Sequence, residues 1–129
     1  MQRILGAGVA FLALAWLLGS AGDAAVARRS SNCPLGLLPL EANSVGPAAV
    51  AAFRHESPRS KPQVMSATVA TWDTGRGREA KFECGTRVWH RTVVVYITLR
   101  AFLPSASLSE RVDFVGRFPD GYKVWQIVH

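Results

Sequence analysis

From residue 63 to His129 apolar and polar side chains alternate at every second position, in runs separated by short breaks rich in Gly, Pro and Ser. Period two is the pattern of a strand with one face toward a core. Breaks this short join neighbouring strands antiparallel. The alternation predicts strands at residues 63–72, 79–84, 88–103, 108–118 and 122–129. The breaks between them are Thr74-Gly75-Arg76-Gly77, Pro104-Ser105-Ala106-Ser107 and Pro119-Asp120-Gly121. In the long third run Trp89, Val93, Val95, Ile97, Leu99 and Ala101 share one face.

Ahead of the strands the period changes. Val45, Ala48, Ala49, Ala52 and Phe53 recur at helical spacing. Ser44 is placed to cap the helix, Pro47 falls in its first turn, and Ser57-Pro58 stops it. The reading is one amphipathic helix over residues 44–56, with Phe53 as its buried anchor. The predicted fold class is therefore α+β: one amphipathic helix packed on a curved antiparallel meander sheet of four to five strands.

Residues 1–27 are expected to stand outside that fold. Arg3 precedes an uncharged apolar run at residues 4–18, and Ala25-Val26-Ala27 has the small-x-small form of a cleavage site. The run is shorter than the roughly 20 residues a spanning helix needs. A signal peptide cleaved near Ala27 implies a secreted, periplasmic or cell-envelope protein. Cys33 follows Ser31-Asn32, without the small residue a lipidation site takes just before its cysteine. The expected organisation is a signal peptide at 1–27, an irregular segment at 28–43 and a single α+β domain at 44–129.

An exported chain meets an oxidising compartment, where Cys33 and Cys84, the only cysteines, have one intramolecular pairing open to them. The disulfide would tether the irregular segment to the sheet. No Cys-x-x-Cys is present, so a redox role is not expected.

The chain holds 15 Lys+Arg against 9 Asp+Glu, a formal net charge of +6. Removing residues 1–27 takes away Arg3 and Asp23, one charge of each sign. Arginine outnumbers lysine 12 to 3, which together with the Ala and Gly content is the composition of a GC-rich bacterial genome. A basic exported protein is attracted to anionic envelope polymers and lipid headgroups. Arg76, Arg78, Arg87 and Arg91 form the densest basic group and are the candidate polyanion contact. Nucleic acid is not an expected partner, because no recognition module accompanies the charge.

The order of one helix followed by a meander resembles the cystatin-like and nuclear-transport-factor-like superfold over residues 44–129. The ending Val115-Gly116-Arg117-Phe118-Pro119-Asp120-Gly121-Tyr122-Lys123-Val124-Trp125 resembles its final hairpin. The resemblance implies pairing through the open sheet face. Val94, Tyr96, Phe102 and Val115 are the candidate interface residues for a homodimer, with the tethered residues 34–40 as the competing cover. Gln63-Val64-Met65-Ser66-Ala67 is distantly similar to the protease-plugging loop of cystatins, without its glycine.

Catalytic motifs are missing. His55, His90 and His129 have no metal-ligand spacing, and no nucleophile elbow or phosphate-binding glycine loop occurs. Asp73, His90, Tyr96 and Asp113 are the only recruits for acid–base work. No cofactor and no enzymatic activity are expected. The functional expectation is an exported non-catalytic binding or interaction module at the cell envelope. A small-ligand or polyketide-cyclase-like domain, with a pocket between helix and sheet, is the alternative. A cystatin-like protease inhibitor is the remote one.

Overall fold

The computed structural model describes residues 32–129; the expected signal peptide and residues 28–31 lie outside this range. Four strands, β1 (Pro62–Val69), β2 (Thr92–Leu99), β3 (Glu110–Phe118) and β4 (Gly121–Val128), form one antiparallel sheet in the order β1-β2-β3-β4. Helix α1 (Val45–His55) precedes them. Between β1 and β2 lie α2 (Gly77–Cys84) and the single turn α3 (Thr86–Trp89), and α4 (Ala106–Ser109) leads into β3. The α+β architecture with a meander sheet is the one that the alternation predicts.

Helix α1 lies across one face of the sheet. Ala48 and Ala52 are fully buried against Val93, Val95, Ile97, Leu99 and Val115, because methyl side chains let the helix backbone approach the strands closely. Phe53 is not the anchor: it lies one residue round from Ala52 and is 48% exposed. Ser44 stands at the N-cap as expected, but its side chain makes no capping bond. Its hydroxyl accepts the Glu41 N–H at 2.7 Å and pairs with Tyr122 Oη at 2.7 Å, which ties the entry loop to β4.

Residues 79–84 are helical, not extended. The alternation of Ala80, Phe82 and Cys84 also contains a helical stripe, Gly77, Ala80 and Cys84, and these three are the buried residues of α2. Over six residues the two periods cannot be told apart. What favours the helix is burial on the second sheet face, where Ala80 packs with Ala70, Val94, Val112 and Phe114. The run at 88–103 is shortened accordingly. Val88 and Trp89 belong to α3, and residues 100–102 form a 3-10 turn after β2.

The disulfide joins Cys33 to Cys84, with their Cα atoms 5.4 Å apart. It fastens residues 33–40 beside the C-terminal end of α2 and fits an oxidising environment. This segment then runs along β3 beyond the start of β2, where the Leu38 N–H donates to the Arg117 carbonyl at 2.8 Å. Leu37 is buried against Gly116, and Leu40 packs into the α1-side core.

Gly116 is what admits Leu37. A Cβ at this position would overlap Leu37 Cδ2 and lie 3.4 Å from Trp125 Cδ1. We expect Gly116→Ala to lower stability by about 1–3 kcal/mol, the usual range for an overfilled core. A urea titration measures it, and an unchanged midpoint would show that the segment is not seated there.

Candidate polyanion-binding face on helix α2

Strand β1 ends at Val69, and Ala70 turns inward with its N–H on the Thr92 carbonyl at 2.9 Å. Thr71 and Thr74 then close a tight turn. The Thr74 hydroxyl accepts the Thr71 N–H at 2.5 Å and contacts the Thr71 hydroxyl at 2.7 Å. Trp72 lies on the crest of this turn, 48% exposed. The N-terminal end of α2 is held by the Arg76 N–H, which donates to Tyr96 Oη at 3.1 Å. Its C-terminal end is held by the disulfide.

With Gly77, Ala80 and Cys84 turned to the sheet, helical geometry leaves Arg78 and Phe82 exposed and Lys81 half-buried at the edge of the buried face. The Arg78 guanidinium stands 5.4 Å from the centre of the Trp72 ring. Lys81 Nζ lies 5.2 Å from the same ring and 4.7 Å from that of Trp89. Phe82 meets Trp72 edge-on with ring centres 6.1 Å apart and is itself 75% exposed. Cations over aromatic faces keep their charge while resting on apolar surface. Among the described residues, Arg78, Lys81 and Arg87 form no ion pair. Asp73 and Glu83 are the acidic residues of the same stretch without an ion-pair partner.

The four arginines picked out in the sequence divide into two kinds. Arg78 and Arg87 are exposed. Arg76 bonds Glu79 at 2.6 Å and the His129 carbonyl at 3.2 Å. Arg91 Nη1 donates to the Leu37 carbonyl at 2.5 Å and so holds the tethered segment. Trp72, Lys81 and Phe82 were not part of the predicted group. Helical spacing through Arg78, Lys81 and Phe82 is the signal that reveals the last two, and a strand reading of the stretch hides it; Trp72 joins them from the preceding turn.

The candidate interface residues do not share a surface. Val94 is fully buried on the α2 side and Val115 fully buried on the α1 side. Phe102 is exposed in the turn after β2. Tyr96 borders a recess of about 420 Å³ with Met65, Arg76, Thr98, Val112 and Val128, the part of the α2-side face that α2 leaves open. Of the two outcomes expected for that face, an open interface or a cover by the tethered segment, the structure shows cover in part, by Ala80 of α2 and by Leu37. A larger open groove of about 780 Å³ runs between α1 and β4, past Val50, Arg54, His55 and Tyr122.

The acid–base recruits are also scattered. Asp73 lies in the Trp72 turn, His90 packs on the Trp89 ring at 4.5 Å between centres, and Tyr96 bonds the backbone of Arg76. Asp113 is on the opposite side of the sheet from Tyr96, fully buried between its cross-strand partners Val95 and Ile127. Neither of its carboxylate oxygens has a hydrogen-bond partner, and the Arg111 guanidinium stays 3.9 Å away while bonding Glu56 at 2.8 Å. Burial, reinforced by the Glu56 carboxylate and opposed by Arg111, pushes the Asp113 pKa up to about 7. Among the described residues no group of three or more His, Cys, Asp or Glu is arranged to hold a metal ion. Residues Gln63–Ala67, the cystatin-like stretch, lie inside edge strand β1, where a bulge falls at Met65.

Comparison with protein-family models, curated proteins and solved structures gave no match for this chain.

Proposed function

We propose that the protein is an exported, non-catalytic binding module of the cell envelope, which takes polyanions on the outer face of α2. The observation that carries this reading is the trio Arg78, Lys81 and Arg87, exposed or half-exposed without ion-pair partners, with two of them resting on Trp72. A net charge of +6 draws the same class of partner from a distance. The apolar run at residues 4–18 and the Ala25-Val26-Ala27 site support export, as does a disulfide suited to an oxidising compartment. A ligand pocket between α1 and β2 has less in its favour, since Ala48 and Ala52 sit directly on that strand and fill the space; the groove between α1 and β4 lies open at the surface.

Long-chain polyphosphate is a suitable probe. Binding is expected at about 50 mM NaCl and should weaken at least about tenfold by about 200 mM, because exposed contacts are screened. The double reversal Arg78→Glu/Lys81→Glu should remove it while leaving the fold intact. Binding that survives the reversal, or no binding at low salt, would overturn the reading.

A further inference from the structure

We infer that the anionic partner is a phospholipid surface, and that Phe82 and Trp72 enter its headgroup layer while Arg78, Lys81 and Arg87 contact the phosphates. The inference rests on the polyanion reading above and deepens it. A soluble polymer of phosphates requires cations alone, yet this face also exposes large apolar side chains. Phe82 is 75% exposed and Trp72 48% exposed. Leu35 is 91% exposed and shares a recess with Cys84, Gly85 and Arg87 at the C-terminal end of α2. Apolar groups ringed by cations match a bilayer interface, which has an anionic outer layer over hydrocarbon. Tryptophan favours that boundary because its ring is part apolar and part polar.

An anionic glycan would also use aromatic rings, by stacking sugars on an open ring face. Here Arg78 and Lys81 already stand over Trp72, and Phe82 approaches it edge-on. The long stems of Arg78 and Lys81 suit them to lie along apolar surface while their charged ends reach phosphate. Charge and apolar exposure coincide on one short helix, fixed at both ends, and on the turns that flank it. The fixed backbone means little ordering is needed on docking, so the side chains carry the interaction.

The test compares vesicles of phosphatidylcholine with vesicles containing about one third phosphatidylglycerol, using the disulfide-bonded exported protein. Cosedimentation with the anionic vesicles only is expected. Lipids brominated in their acyl chains should quench tryptophan fluorescence, and Trp72→Phe should abolish most of that quenching. Phe82→Ser, at an exposed position, should weaken vesicle binding about tenfold and polyphosphate binding far less, because the side chain it removes carries no charge. Polyphosphate binding without vesicle binding, or vesicle binding indifferent to Phe82→Ser, overturns the membrane inference and leaves the polyanion reading intact. Failure to bind either probe overturns both.

Discussion

Replacing Cys33 and Cys84 by serine is expected to cost about 4 kcal/mol of stability. The two cysteines are 51 positions apart, and closing a loop of this length removes about that much chain entropy from the unfolded state. In a domain of this size the loss would lower the melting midpoint by about 15–30 °C. The native contacts of the tethered segment then have to stand alone: Leu37 against Gly116, the Leu38–Arg117 bridge and the Arg91 bond to the Leu37 carbonyl. Residues 33–40 and the C-terminal end of α2 should loosen first, which amide hydrogen exchange would locate. A double mutant melting with the oxidised wild type would contradict the account.

The second large effect is one of pH, and Asp113 is its source. Its carboxyl titrates near 7 in the folded protein, against an ordinary value of 3.8. Between these two values the unfolded chain has released a proton that the folded protein keeps. Stability from this group is therefore greatest below about pH 4, falls as the pH rises toward 7, and levels off above. The full change is on the order of 4 kcal/mol. Glu56 and Arg111 are the charged neighbours, and their own ion pair at 2.8 Å does not require Asp113.

Asp113→Asn should flatten this part of the pH profile. Asp113→Val, which matches the β-branched partners Val95 and Ile127, should stabilise the protein at pH 8 by about 1–3 kcal/mol. Urea titrations of wild type and both variants at pH 5 and pH 8 measure the difference. A wild-type profile that neither substitution changes would show that the carboxyl does not titrate as its surroundings imply.

The contrast between β2 and α2 shows which parts of the structure are legible in the sequence. Residues 92–99 alternate over eight positions with β-branched side chains on both faces, and no helix competes for that pattern. The run around Ala80 is shorter, and its choice of helix depends on a sheet face that adjoins it only in three dimensions. That error propagates to the site. On paper Arg78 belongs to the turn and Lys81 to the strand after it, but they flank Trp72 together on a helix. Charge and cysteine pairing are local or combinatorial and are readable directly. Asp113 is different: alternation marks it as the polar side of β3, while α1 covers that side and buries it. Phe53 is misread for the converse reason, because alanines, not the largest side chain, determine how closely a helix can sit.

The central claim concerns one surface, so it is best tested by mapping. Backbone amide shifts of the isotopically labelled, disulfide-bonded protein would be followed on adding polyphosphate at low salt. The account expects the largest changes within residues 72–91, with the Trp72, Trp89 and Arg78 signals moving together and reverting as salt is raised. Changes confined to the α1–β4 groove or to the recess beside Tyr96, with residues 72–91 unmoved, would contradict it.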